Sequence, residues 1–284
     1  MGIRIFTDSA SDITLEELAE WKVGLIPMPL QWDGITCLDD KTIPTETFWN
    51  LLVGGTDIKT SQPTPDAFIS AFEEARQAGD DVICILISSR LSGAVQGAML
   101  ARSLGDYEKV YIIDAGGAAA SAAEKLLVYH ACRLRDEGRL TAREMVEDLE
   151  RFRSRIRLFA CIDTLEYLAR GGRLSRSVAG IGTAMKIKPI IRFSRDGDIH
   201  VTKKVMGGRR AMEEMTDIAM AHRICLDYPV IPLYSFDRDN CMAYLRQLKE
   251  AGFPVNPKEP EPIGATIGAY IGPGGYGLAF VEEP

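Results

Sequence analysis

The run Asp81–Ile87, DVICILI, constrains the fold more than any other stretch of this chain. It is apolar from its second residue to its last and has the length of one strand, so it carries no polar face to turn to water. Such a strand is covered on both sides, as the inner strands of parallel sheets are. A polar turn, SSRLSGA, follows it, and then a helical pattern, VQGAMLARSL. The same order recurs. Ile3–Thr7 reads as a strand, Asp8-Ser9-Ala10-Ser11-Asp12 as the start of a loop, and TLEELAEW as a helix whose Thr14 and Glu17 have capping-box spacing. Lys109–Ile113 with Asp114 leads into a long helix that Gly138 can end. Thr141 and Glu144 open a further helix, expected to reach about Arg157. Repeated strand–loop–helix units predict a parallel sheet clothed in helices, with ligands gathering beyond the carboxyl ends of the strands.

From Leu158 the texture changes. LFACID reads as a strand and TLEYLARGG as a short helix ended by Gly171-Gly172. A hairpin is expected over Phe193–Val201, turning at Arg195-Asp196-Gly197-Asp198. Two helices with the strand VIPLYSF between them follow, and then a Pro-rich loop, Pro254–Pro262. The tail, ATIGAYIGPGGYGLAFVEE, reads as two strands around a Gly-Pro-Gly turn. Earlier in the chain, Val23–Leu30 carries two prolines and reads as an edge strand, and Phe48–Leu52 as a short helix. With 284 residues the chain is long enough for two α/β domains, expected at 1–160 and 161–284. The first is built on a parallel sheet and the second on a mixed one.

Charge and composition exclude several classes. A net charge of −7 argues against a nucleic-acid binder that works by bulk charge. No stretch has signal-peptide or transmembrane character, and the six cysteines form no CxxC pair, so free thiols and a cytoplasmic setting are expected, with no stable membrane insertion. No histidine pair has metal-ligand spacing, so no metal and no cofactor is expected. Asp39-Asp40 and Glu213-Glu214 read as solvated acidic faces. Gly272–Gly277 matches GxGxxG formally, but no helix or βαβ unit follows it, and no Walker A is present.

Three constellations remain. In TSQPTPDAF, Thr64-Pro65-Asp66 is a helix start: Thr as N-cap, Pro at the first helical position, Asp in the first turn. The cap leaves Thr60, Ser61 and Gln62 unexplained. In SSRLSGA, Ser88, Ser89 and Ser92 sit between a buried strand and a helix, where free amides favour anions and Gly93 lets a ligand approach the backbone. The same turn also reads as an ordinary Ser-rich connection. The third is basic: Arg170, Arg173, Arg176, Lys186, Lys188 and Arg192, either unrelated surface charges or a field for a phosphate, a carboxylate or an acidic partner. A serine hydrolase or transferase using Ser92 is the enzymatic alternative. Arg90-Leu91-Ser92-Gly93-Ala94 lacks the first glycine of a nucleophile elbow, and the three histidines lie in predicted helix and strand interiors.

Taken in order, FTDSASD, TSQPTPDAF, SSRLSGAVQGAMLA, DTLEYLARGGRLS running to KIKPII, and the closing IGAYIGPGGYGLAF resemble the DegV family over nearly the whole chain. The resemblance implies a two-domain α/β protein that buries one long-chain fatty acid between or alongside the domains. Some members serve as the acyl-binding subunit of a bacterial fatty-acid kinase and present the carboxylate to a separate ATP-binding subunit. A kinase-independent lipid carrier or sensor is a third reading of this chain. Carried over by motif, Thr60 and Ser92 hydrogen-bond the carboxylate, with Ser61 and Gly93 beside them. Arg173 lies in the region associated with kinase docking, next to Arg170, and the binding protein itself is not an enzyme. Where the family commonly reads Gly-Thr-His-Thr-Gly-Pro-Gly, this chain has Tyr270 in place of the histidine, and Ala94 where Thr commonly follows the LSG motif. Tyrosine donates a hydrogen bond but does not titrate near neutrality.

Overall fold

The computed structural model describes residues 2–174 and 187–284. The first half runs β1 (Ile3–Asp8), α1 (Leu15–Trp21), β2 (Val23–Ile26), β3 (Pro29–Trp32), β4 (Ile35–Leu38), α2 (Thr45–Val53), β5 (Lys59–Thr60), α3 (Pro65–Ala78), β6 (Asp81–Leu86), α4 (Ala94–Leu104), β7 (Val110–Asp114), α5 (Ser121–Glu137) and α6 (Ala142–Phe152). The second runs β8 (Ile156–Cys161), α7 (Glu166–Arg170), β9 (Ile187–Phe193), β10 (Ile199–Met206), α8 (Gly208–Met220), β11 (Ile231–Tyr234), α9 (Arg238–Glu250), β12 (Glu261–Pro262), α10 (Ala265–Ile271) and β13 (Tyr276–Val281).

Strands β2, β1, β6 and β7 form a wholly parallel sheet in that order. β6 lies inside it, and Val82–Leu86 are all buried, as an unbroken apolar run requires. The segment expected as one edge strand is split: β2, at the sheet edge, ends at Ile26, before Pro27. The continuation through Pro29 instead enters a second, antiparallel sheet, β4-β3-β5, whose β4 the sequence did not announce. The third sheet is mixed, in the order β10-β9-β8-β13-β11-β12, antiparallel except for the last pair. β8 belongs to it, so the chain leaves the parallel sheet's layer before Ile156. Both capping boxes, at Thr14 and Thr141, are present, and the Thr64 hydroxyl accepts from the Ala67 amide.

Three expectations are corrected. The tail is not two strands: Ala265–Ile271 is a helix, and only Tyr276–Val281 is a strand. The cause is tertiary. Asp12 accepts from the Gly264 amide, while Asp39 accepts from the Thr266 amide and hydroxyl, so carboxylates from the far end of the chain satisfy the free amides at the start of α10. For the same reason Asp39 is no solvated acid: it is buried beneath α10, with Lys41 3.6 Å away. The loop expected to begin at Asp8 opens with a buried tight turn, Ser9–Ser11. Finally, α6 stops at Phe152 and passes through a single tight turn, Arg153–Arg155, because β8 begins at Ile156.

Lys125 joins the two halves. Its ammonium is buried on α5, 2.5 Å from Glu17 of α1 and 2.6 Å from Glu261 of β12. A buried charge is tolerated only when it is paired this closely.

Candidate functional site

One cavity collects residues from both halves. Met28, Thr60, Ser61, Gln62, Ile87, Leu91, Ser92 and Gly93 face Leu168, Arg173, Phe193, Ile199, Thr266, Ile267, Tyr270 and Ile271, with Ala120 at the start of α5. The wall is apolar on most sides and polar at one end, the usual composition of a small-molecule site.

The polar end is built by four segments. β5 pairs with β3, Thr60 opposite Leu30, and this turns the Thr60 side chain toward α10. There the Thr60 hydroxyl lies 2.7 Å from the Tyr270 hydroxyl. Each group can donate or accept, so the pair can take up a carboxylate while keeping its mutual bond. Ser92 sits just before α4, and its oxygen accepts from the Ala94 amide, which leaves its proton free to donate. No hydrogen bond links Thr60 to Ser92; they share the cavity wall. The space next to Gly93 is taken by the Gln62 side chain: a Cβ built on Gly93 would fall 1.7 Å from the Gln62 amide oxygen.

Tyr270 is held from behind. Its ring packs against Gly171, where a Cβ would come within 2.3 Å of the ring carbons. The Arg173 guanidinium stands over the ring, 4.7 Å from its centroid, within cation–π range. Arg173 also donates from Nε to the Leu91 carbonyl at 3.0 Å and from Nη1 to the Gly171 carbonyl at 2.6 Å. It therefore ties the hydroxyl turn, the α7 turn and the tyrosine into one rigid end-wall. Arg170 lies outside the cavity, half-exposed, 5.0 Å from the Tyr167 ring centroid and 3.6 Å from Asp57. Of the other basic residues, Lys188 pairs with Asp163 at 2.6 Å, Arg192 is exposed, and Arg176 and Lys186 lie outside the described residues.

The wall rests on a layer of buried acids that sequence reasoning did not single out. Asp8 accepts from the amides of Ala10 and of Ile87, a lining residue. Ser9 accepts from the Met28 amide, another lining residue. Asp12 accepts from the Ser121 hydroxyl at 2.5 Å. Burial pushes the Asp8 carboxyl up to about 7, against the two amides and Lys41, and pushes Asp12 up to about 6, against Lys41. Burial also holds Glu124 well above the carboxylate range, with Asp8 adding to the shift. The only local signal for this layer was the density of Asp and Ser in TDSASD.

None of the three histidines lines the cavity. His130 contacts Asp148 and Tyr228, and His222 contacts Glu282. Ser92 thus has no histidine base in the cavity, and among the described residues no group of acids, cysteines and histidines is arranged to hold a metal ion. No helix among the described residues is long and apolar enough to cross a membrane.

The family model described as "Uncharacterised protein, DegV family" matches residues 2–283. A DegV domain-containing protein of Caldanaerobacter subterraneus subsp. tengcongensis is 30% identical over 281 residues, covering 99% of each chain. Another, from Staphylococcus aureus strain N315, is 31% identical over 291 residues, covering 98% of each. Among solved structures, one described as fatty acid binding of a DegV family protein from Thermus thermophilus superposes with a TM-score of 0.87 at 29% identity, covering all of both chains. A fatty-acid-binding DegV family protein from Streptococcus agalactiae shares the fold, with a TM-score of 0.88 at 22% identity over the whole of both chains.

Proposed function

This chain belongs to the DegV family, and from that premise we propose that it binds a long-chain fatty acid in the cavity between its two halves. The carboxylate lies at Thr60, Tyr270 and Ser92, and the acyl chain runs along Met28, Ile87, Leu91, Phe193, Ile199 and Ile267. The observation that carries this reading is the paired hydroxyls of Thr60 and Tyr270, 2.7 Å apart at the polar end of an otherwise apolar cavity. A carboxylate takes short bonds from hydroxyl donors, and the chain beyond it needs only burial, worth ~0.8 kcal/mol per CH₂. The cavity measures about 120 Å³, below the ~300–1,000 Å³ of sites that enclose a drug-sized ligand. A long acyl chain therefore enters by displacing flexible lining side chains, Met28 and Leu91 among them.

The chemistry, in this reading, belongs to a separate kinase subunit that phosphorylates the presented carboxylate. Arg170, outside the cavity and half-exposed, suits contact with such a partner. Arg173, with its donors committed to Leu91 and Gly171, suits holding the end-wall. Extraction of the purified protein and mass analysis of the extract tests the reading, with about one fatty acid per chain expected. An extract free of fatty acid, from a protein that also fails to take up added stearate, would overturn it. A second reading, a serine enzyme, predicts labelling of Ser92 by a fluorophosphonate; the absence of a histidine from the cavity favours no labelling.

A further inference from the structure

A second pocket, of about 350 Å³, opens on the other side of Phe193. Its walls carry Arg153, Arg157, Arg192 and Arg195, with His222 at one end. Phe193 lines this pocket and the apolar cavity alike.

The four arginines reach one place for identifiable reasons. Arg153 and Arg157 come from the tight turn after α6 and the start of β8, part of Arg151-Phe152-Arg153-Ser154-Arg155-Ile156-Arg157, which places an arginine at every second position. Arg192 and Arg195 come from the β9–β10 hairpin. That hairpin is locked against the parallel sheet's layer. Gly197, at a φ of +91°, fits against Ser88 and the Gly116 carbonyl, where a Cβ would fall 2.0 Å from the Ser88 oxygen. Gly117 receives the backbone of Ser194 and Arg195 so closely that a Cβ there would sit 3.3 Å from both carbonyl oxygens. The guanidiniums thus stand on fixed backbone.

Their charges are not balanced. Glu282 pairs with Arg157 at 2.5 Å and also contacts His222, and Glu150 lies 4.0 Å from Arg153. Arg192 and Arg195 have no carboxylate partner among the described residues; Arg192 donates to the Phe193 carbonyl, and Arg195 is exposed. In a chain of net charge −7, a concave surface lined by four arginines, with no carboxylate among its lining residues, is a local reversal of the field. All four cations are arginine, whose planar fork matches phosphate oxygens in pairs, rather than lysine.

We propose that this arginine-lined pocket binds a small molecule bearing a phosphate or diphosphate group, with Arg192 and Arg195 as the principal contacts and Arg153 and Arg157 behind them. The volume lies within the range of small-molecule sites, and the concave shape suits a compact anion better than an extended acidic polypeptide. The proposal does not rest on the fatty-acid reading.

The test is isothermal titration of the whole protein with inorganic pyrophosphate at low salt. It compares the native chain, the double variant Arg192→Gln/Arg195→Gln, and Arg246→Gln, which removes an exposed arginine outside the pocket. The native chain and Arg246→Gln are expected to bind alike, and the double variant at least ~10-fold more weakly, through loss of charge-assisted bidentate contacts. Both altered arginines are exposed, so thermal melting of the double variant is expected to match that of the native chain. Absence of pyrophosphate binding to the native chain would overturn the proposal. So would equal losses in Arg246→Gln, which would mark general surface charge. Binding of poly-glutamate without pyrophosphate would overturn it in favour of a protein-docking surface.

Discussion

The Thr60 and Tyr270 hydroxyls lie 2.7 Å apart across a sequence separation of 210 residues. The contact joins the short strand β5, which precedes the α3 cap, to α10, the last helix. It places two hydroxyl groups at one point of the cavity wall. Thr60→Val and Tyr270→Phe are each expected to weaken fatty-acid binding by ~10-fold or more, as loss of a hydrogen bond to a charged group implies. Thr64→Val, four residues on, removes a helix cap and is expected to cost about 1 kcal/mol of stability with binding retained. Fluorescent fatty-acid displacement and urea titration on the three variants separate the two roles.

Gly171→Ala tests the packing behind Tyr270. The added Cβ would fall 2.3 Å from the ring, so the tyrosine has to swing away from Thr60. Fatty-acid affinity should fall by an amount comparable to that of Tyr270→Phe, and the two changes combined should cost less than the sum of their separate effects. A displacement titration on the two single variants and the double variant checks this.

Arg173 and Arg170 should separate binding from presentation. Arg173→Ala removes two hydrogen bonds to backbone carbonyls and the contact with Tyr270, and both stability and fatty-acid retention are expected to fall, stability by ~1–3 kcal/mol. Arg173→Lys is expected to restore little, because an ammonium cannot reproduce the planar fork. Arg170→Ala, outside the cavity, should retain fatty acid and lower acyl-phosphate formation with a cognate kinase subunit. Urea titration, lipid extraction and a coupled phosphorylation assay read the three effects.

The buried acids predict an unusual pH dependence. A carboxyl whose folded value is raised binds its proton more tightly when folded, so it contributes stability at low pH that is lost as pH rises through the folded value. For Asp8 the loss spans roughly pH 4 to 7, and for Asp12 roughly pH 4 to 6. Urea midpoints are expected to decline from pH 5 to pH 7.5, and Asp8→Asn should flatten that decline.

Much of the parallel layer was legible because local signals and tertiary structure agree there. DVICILI is an inner strand, and Thr14, Thr64 and Thr141 cap the helices they precede; in the mixed sheet the hairpin turns at Arg195–Asp198 as its turn residues predict. The closing helix was not legible. ATIGAYI lacks a cap of its own, and its free amides are answered by Asp12 and Asp39, more than 200 residues earlier. Asp39 was misread for the same reason, since its partner is invisible in its own neighbourhood. Within the candidate site, the motifs pointed to Thr60, Ser92 and Tyr270, and the structure brings all three to one cavity. The Thr60–Tyr270 bond, the grip of Arg173 on Leu91 and the filling of the Gly93 niche by Gln62 depend on distances between segments that no spacing encodes.

The most direct measurement is native mass spectrometry of delipidated protein offered stearate and, separately, methyl stearate. If the cavity anchors a carboxylate at Thr60, Tyr270 and Ser92, stearate forms a one-to-one complex, while the ester, equal in apolar burial but without the charge, is retained far more weakly. Equal retention of acid and ester, or no complex with stearate at all, would contradict the account.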